Sequence, residues 1–415
     1  MMHLLNKRRQ RLLGGVIATL AFWTPDALGD DIFNFQGLYT RASGGAHQTE
    51  SRSGAANIHN PANLSLSPTN GYVDVGMTRM SYEYAPTDDG IDPGQLVMPL
   101  VPLTSFGGSW RPTKKLGLGA IFVPLGMPGA KNKISKFPFK SGGVAMNADM
   151  EAEETSYRAG LGAGYQFSRE FRIGLGLLYH HKSSKVTVLS PDTGEPAVVL
   201  GEQGKYITPK LGMGGFVPSY GTWGMSYRPA MKPKYLMTME LVGSESAESV
   251  GKYYVPEVYG AGASLRVAPL FQPYFDYSYE RWIPGTFEST PPLALMSGKS
   301  VPTDFQNTHN IVLGAKSYVG SKQHFYGSFG YFGANKGAGV QTDEQELVYA
   351  GIGPRDFEAM RRQQYTFGYS NSLKQQAFTG YLSYITAAAE APEETPGAGS
   401  YKLNMIMAGG GLMFR

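Results

Sequence analysis

The sequence predicts an all-β protein: a transmembrane antiparallel β-barrel of about fourteen strands, with an N-terminal hatch plugging its lumen. Three observations lead there. The composition is poor in charge and rich in glycine and tyrosine, with 17% charged residues, 54 Gly and 26 Tyr, against about 25% charged in an average soluble domain. Long stretches alternate with period two, the repeat of a strand and not of a helix. The connections between those stretches alternate strictly between tight and long.

A length of 415 residues would usually suggest more than one soluble domain, but it also fits one large barrel. Mean hydropathy is −0.24, and no run approaches the roughly 20 apolar residues of a membrane-spanning helix. Cysteine is absent, which excludes disulfide staples, thiolate metal sites and a cysteine nucleophile.

The chain opens like a secretory signal over 1–29. Lys7, Arg8, Arg9 and Arg11 precede an apolar stretch from Leu12 to Trp23, and Ala27-Leu28-Gly29 supplies small residues for cleavage. Its removal would take the formal charge from +4 to about +1, a field too weak to attract nucleic acid. Residues 30–66 do not alternate. They carry Gly37, Gly44, Gly45 and Gly54 and end in Asn60-Pro61-Ala62-Asn63-Leu64. The expectation is a compact hatch folded into the lumen.

From 67 to 415 the strand rhythm dominates. Tyr157, Ala159, Leu161, Ala163, Tyr165 and Phe167 interleave with Arg158, Gly160, Gly162, Gly164, Gln166 and Ser168. Ile173, Leu175, Leu177 and Tyr179 oppose Arg172, Gly174, Gly176, His180 and Lys182, and Phe275, Tyr277 and Tyr279 oppose Asp276, Ser278 and Glu280. A membrane barrel would place the apolar set outward and the glycine-rich set inward. Tight connections are expected at 112–115, 168–170, 219–222, 268–270, 320–323 and 373–376. Long loops are expected at 86–94, 127–153, 188–205, 233–253, 283–305, 335–362 and 387–400. Six turns and seven loops join fourteen strands, and an even number returns both ends to one side. Leu403, Met405, Met407 and Phe414 read as the last strand.

Several of these segments resemble the FadL-type outer-membrane transporters of long-chain fatty acids and other hydrophobic compounds. The likeness runs through Gly37-Leu38, Ala42-Ser43-Gly44-Gly45-Ala46, Asn60-Pro61-Ala62, Leu116-Gly117-Leu118-Gly119, Pro124-Leu125-Gly126, Pro256, Tyr277 to Trp282 and Asn310 to Ala315. The resemblance implies a fourteen-stranded barrel in the Gram-negative outer membrane, closed by a hatch whose Asn60, Pro61 and Ala62 meet the wall. It also implies a hydrophobic ligand such as a long-chain fatty acid or hydrocarbon, hatch movement, and lateral release through a kinked third strand. Gly117, Gly119, Pro124 and Gly126 are the candidates for that opening. Pro124 removes a ladder donor and glycine tolerates a bend; the alternative reading is that Pro124 ends the strand and starts the loop. The departure is at the C-terminus: Phe414 is penultimate and Arg415 last, where outer-membrane barrels usually finish on an aromatic residue read by the barrel-assembly machinery.

Inward cations by strand parity are Arg158, Arg172 and Lys316, candidates for holding a substrate carboxylate or for pairing with Asp276 and Glu280. Residues 127–153 mix Ile134, Phe137, Phe139, Val144 and Met146 with Lys131, Lys133, Lys136 and Lys140. They read as an amphipathic capture loop for a carboxylate or a lipopolysaccharide phosphate, or as a solvated basic loop. No enzyme, metal or cofactor is expected. His180 and His181 lie beside Ser183 and Ser184 without triad spacing, and His47, His59, His309 and His324 lack metal-ligand spacing. The partners expected are a hydrophobic ligand, outer-membrane lipid and lipopolysaccharide, and the assembly machinery, with the protein a monomer. The competing readings are a porin, an adhesion barrel and an outer-membrane lipid hydrolase.

Overall fold

The computed structural model describes residues 38–46, 48–49, 51–86, 94–97, 101–124, 131–141, 144–189, 193–218, 220–241, 247–252, 255–282, 285–289, 301–303, 307–320, 322–333, 361–373, 376–391 and 399–414. The expected signal at 1–29, residues 30–37 of the hatch, His47, Gly126 and Arg415 lie outside the described residues.

The strands begin with β1 (Asn70–Pro86), β2 (Gly94–Val97), β3 (Val101–Trp110), β4 (Leu116–Pro124), β5 (Lys131–Ser141) and β6 (Val144–Glu154). Next come β7 (Tyr157–Gln166), β8 (Arg172–Leu189), β9 (Pro196–Val217), β10 (Gly221–Arg228), β11 (Lys234–Leu241) and β12 (Ala247–Lys252). Then follow β13 (Glu257–Leu265), β14 (Phe271–Arg281), β15 (Gly285–Ser289), β16 (Val301–Thr303) and β17 (Thr308–Val319). The last four are β18 (Gln323–Phe332), β19 (Arg361–Ser372), β20 (Gln376–Ala391) and β21 (Gly399–Phe414).

Fourteen of these form a closed antiparallel wall in the order β1, β3, β4, β7, β8, β9, β10, β13, β14, β17, β18, β19, β20, β21. The ring closes where β21 pairs with β1 from Gly71↔Phe414 to Pro86↔Gly399. Closure gives every strand of the wall a neighbour on each side, the condition for backbone to lie where no water can bond it.

The tight turns fall where expected, between β3 and β4, β7 and β8, β9 and β10, β13 and β14, β17 and β18, and β19 and β20. The long loops are less loop-like than the sequence suggested. Residues 188–205 are mostly strand: β8 and β9 stay paired out to Val188↔Val198 and Leu189↔Pro196. The segment read as a basic capture loop is the β5–β6 hairpin, with Lys131 opposite Glu153 and Lys133 opposite Glu151. β6 continues onto β8, β11 onto β9, and β12 onto β15. The wall thus extends on the loop side as a sheet, because added ladder bonds satisfy backbone that a loop would leave to water.

Around most of the wall the outward face is apolar. Val73, Val75, Met77, Leu161, Ile173, Leu175, Leu177, Leu211, Leu313, Phe367 and Leu382 are all exposed, as a lipid-facing belt requires. The inward glycine and polar set does not extend to β20, β21 and β1. There Met80, Ile385, Leu403, Met405 and Met407 are buried inside, while Ile406 and Leu412 face out. Both faces of these strands are apolar, so alternation alone carried no direction.

Candidate functional site: the plugged lumen

The described residues from 38 to 66 lie inside the wall. Helix α1 (Leu38–Ala42) packs against β19, β20 and β21, and two 3-10 turns, Ser53–Asn57 and Pro61–Leu66, pack against β3, β4, β7, β8 and β9. Helix α1 stops at Gly44 and Gly45, with φ of +66° and +100°. Their N–H groups donate to the Arg41 and Thr40 carbonyls at 3.1 and 2.9 Å, a left-handed helix end that glycine adopts most cheaply. Asn60 starts the second turn: its side-chain oxygen accepts from the Ala62 N–H at 3.2 Å, and Pro61 takes the first helical position, where a missing N–H costs nothing.

Glycines in the wall make the seat. Gly117, Gly164, Gly174 and Gly212 are direct neighbours across β4, β7, β8 and β9. A Cβ on Gly164 would stand 2.7 Å from the Pro61 carbonyl oxygen, and one on Gly174 would be 2.5 Å from the same atom. Gly117 abuts the Leu64 carbonyl, and Gly212 abuts the Asn60 side chain. A second row, Gly119, Gly162 and Gly176, faces Leu64 and Asn57 in the same way. The inward glycines therefore do not leave the lumen open. They let plug backbone lie directly on wall backbone, where any side chain would intrude.

Polar bonds fix the plug in register. The Asn60 amide donates to the carbonyls of Gln48 and Met213 at 3.0 and 3.1 Å. Gln48 N–H donates to Asp276 at 2.8 Å, and the Gln48 side chain donates to Ser226 at 2.9 Å. Lys210 donates to the Ile58 carbonyl at 2.7 Å, and the Tyr274 hydroxyl to the Ser43 carbonyl at 3.0 Å. On the opposite side Arg41 meets Asp74 at 2.8 Å and donates to the Tyr381 hydroxyl at 2.9 Å. Burial works against the Arg41 charge, but Asp74 and Tyr381 outweigh it and hold the guanidinium above its ordinary value.

The three candidate cations separate. Arg172 donates to the Asn63 side chain at 2.9 Å and so anchors the plug. Lys316 lies 5.2 and 5.4 Å from the ring centres of Tyr318 and Tyr326. It borders a cavity of about 220 Å³ at the turn end of the lumen, shared with Tyr39 and Arg52 of the plug and His324 of the wall. Arg158 is buried on β7 beside His180 of β8, in a polar stretch that includes the Lys182–Glu202 pair at 3.1 Å. Asp276 receives Gln48, and Glu280 receives Thr308 and Asn310 at 3.0 and 3.1 Å.

Asn60, Pro61 and Ala62 thus sit at the plug's main contact with the wall. Gly117 and Gly119 seat Leu64, β4 is paired with β7 from Leu116 to Pro124, and Pro124 is the last residue of that strand. Strand parity identified the inward cations but missed the apolar patch. Met80 of β1 pairs with Met405 of β21, which pairs with Ile385 of β20, and Met407 and Leu403 flank them on β21. Phe332 completes the same buried cluster. Among the described residues no group of three or more His, Asp or Glu could hold a metal ion.

No protein-family model matches the sequence, and no curated protein matches it. The structure is similar to solved ones. A Pseudomonas aeruginosa FadL homologue superposes with a TM-score of 0.66 at 11% identity, covering 91% of this chain and 98% of its own. The Pseudomonas putida toluene transporter TodX gives 0.62 at 12% identity, covering 91% and 98%. The Ralstonia pickettii toluene transporter TbuX gives 0.59 at 16%, covering 92% and 98%. At such identities the likeness establishes a common fold.

Proposed function

We propose that this chain is a FadL-type outer-membrane transporter that carries hydrophobic small molecules, long-chain fatty acids or hydrocarbons, through a plugged barrel. The observation that carries the reading is a lumen crossed by a plug and lined beyond it by Met80, Ile385, Leu403, Met405 and Met407. A water-filled porin has no use for a greasy interior. A hydrophobic solute does, since each buried methylene gains about 0.8 kcal/mol. The solved structures of the same fold are named as a FadL homologue and as toluene transporters, and none is named as an enzyme.

Release follows plug movement and runs sideways between β3 and β4. β3 pairs with β1 from Val101 to Ser109, yet with β4 only from Phe106 to Trp110 among the described residues. Pro102 and Pro124 flank the upper part of this seam and supply no ladder N–H. Ile121 and Val123 line its inner side. Uptake of radiolabelled toluene and oleate by outer-membrane-competent cells, with and without the protein, tests the reading. Faster uptake of at least one is expected. Equal uptake of both, together with a large steady ion current in planar bilayers, would favour the porin.

A further inference from the structure

Two lysines stand side by side on the outer face of the wall, and no acid stands next to either. On β9 the outward residues Met213, Leu211 and Ile207 are apolar and exposed, and Lys205, also exposed, is the next outward position beyond Ile207. Its partner on β8 is His181, whose ring centre lies 4.8 Å from that of Tyr157. On the other side β9 pairs with β11 down to Gly204↔Tyr235. The next step of that ladder sets Lys205 against Lys234, which is exposed as well. The register carries the row on to Lys252 and then Glu288, three lysines against one acid. Like charges directly opposite each other in a sheet repel. The rows above and below bring no relief. Ser183, Gln203 and Leu236 lie one row nearer the loops, and Tyr179 and Ile207 one row nearer the turns. Other acids on this face are engaged elsewhere. Glu153 stands opposite Lys185, two rows up. Glu257 of β13 accepts from Tyr227 at 2.6 Å and meets Arg281 at 3.5 Å.

We infer, resting on the outer-membrane reading above, that Lys205 and Lys234 hold a phosphate of lipid A, the phosphorylated and acylated sugar pair of lipopolysaccharide. The height of the pair fits. It lies just beyond the apolar belt formed here by Leu177, Ile207 and Leu211, on the side of the long connections and away from the tight turns. In a bacterial barrel the long connections are extracellular, and the lipid of that leaflet is lipopolysaccharide. Its acyl chains lie against Leu177, Ile207 and Leu211. Its sugars meet the rings of Tyr157 and Tyr179, whose centres are 6.1 Å apart, aromatics of the kind that mark a membrane interface. The phosphate then comes level with the two ammonium groups. A phosphate between them replaces a repulsion by two charge-assisted hydrogen bonds. A glycerophospholipid of the opposite leaflet would meet the turn end of the wall, where these lysines are not.

The purified protein in detergent is titrated with lipid A, dephosphorylated lipid A, phosphatidylglycerol and inorganic phosphate. Native mass spectrometry reads bound lipid, and thermal unfolding reads its effect on the barrel. Lipid A should bind and raise the Tm of the unaltered protein. Lys205→Gln with Lys234→Gln should bind it at least about tenfold more weakly, as loss of two lysines at an anionic lipid surface implies. Without lipid this double variant should melt no lower than the unaltered protein, because a repulsion has been removed. Lys205→Glu gives Lys234 an acid to face. It should melt higher than the unaltered protein without lipid and lose the response to lipid A. Lys322→Gln, at an exposed cation of the turn end, is the control and should bind lipid A normally. Heat-dependent gel mobility verifies a closed barrel in each variant. Lipid A binding indifferent to both lysines would overturn the inference, as would the same lysine-dependent response to dephosphorylated lipid A, phosphatidylglycerol or inorganic phosphate. Sucrose-gradient fractionation of the expressing cells separates two failures. Recovery of the protein outside the outer-membrane fraction would refute the outer-membrane reading itself. Recovery within it, with binding indifferent to the lysines, would refute the lipid A site alone.

Discussion

Replacing Gly174 by alanine should unseat the plug while sparing the barrel. The new Cβ would lie 2.5 Å from the Pro61 carbonyl oxygen and closer still to the Pro61 carbonyl carbon and the Ala62 nitrogen. Ordinary contact needs about 3.5 Å, so the plug backbone has to retreat by about 1 Å. A retreat of that size stretches the Asn60 bond to Met213, now 3.1 Å, and the Arg172 bond to Asn63, now 2.9 Å, beyond hydrogen-bonding range. Overpacking costs about 1–3 kcal/mol, and the two bonds are worth about 2–4 kcal/mol together, the charged one more than the neutral one. The seated state should lose about 3–7 kcal/mol, more than a hundredfold in its equilibrium. The wall loses little, because the neighbours of Gly174 in the ladder are Gly164 and Gly212 and the crowding atoms all belong to the plug. Single-channel recording in planar bilayers should show frequent openings absent from the unaltered protein, with unchanged heat-dependent gel mobility. Gly327→Ala, at a wall glycine with nothing within 4 Å of the added Cβ, is the control and should stay closed. If Gly174→Ala conducts no more than Gly327→Ala, the glycine rows do not seat the plug and the reasoning is refuted.

Asn60→Ala removes a cap and two bonds across the plug and should weaken plug seating by about 2–4 kcal/mol, read as openings like those of Gly174→Ala and as faster proteolysis of the N-terminal segment. Lys182→Met or Glu202→Leu alone, each leaving one buried charge without its 3.1 Å partner, should destabilise by about 3–5 kcal/mol, whereas the double variant should regain most of it; thermal unfolding in detergent measures both, and equal losses in single and double variants would contradict the pairing. Pro102→Val with Pro124→Val gives the β3–β4 seam two added N–H donors and should cut hydrophobe uptake several-fold without raising conductance, whereas unchanged uptake would count against sideways release.

The wall was legible in the sequence because its physics is local. Ile173, Leu175 and Leu177 alternate with Arg172, Gly174 and Gly176, and the structure exposes the first set and turns the second inward. Tight turns were equally readable, since Pro112-Thr113-Lys114-Lys115 and Gly320-Ser321-Lys322-Gln323 break the rhythm where β3 and β17 end. The long connections were misjudged where pairing continues beyond the fourteen-stranded wall. Val198, Val199 and Leu200 look like the start of a strand only once β8 is seen beside them.

By itself the sequence determined that the chain alternates, that its strands come in hairpins, that their number is even, and which side of most strands faces out. Each follows from residues within about ten positions of one another. Only the tertiary structure decided that Gly117, Gly164, Gly174 and Gly212 stand in one row under Pro61, that Met80 meets Met405, and that Arg41 reaches Tyr381 across 340 residues of chain. The reason is register: a strand's pattern says which face a side chain takes, but its height against its neighbours is set when the sheet closes on itself and on the plug within.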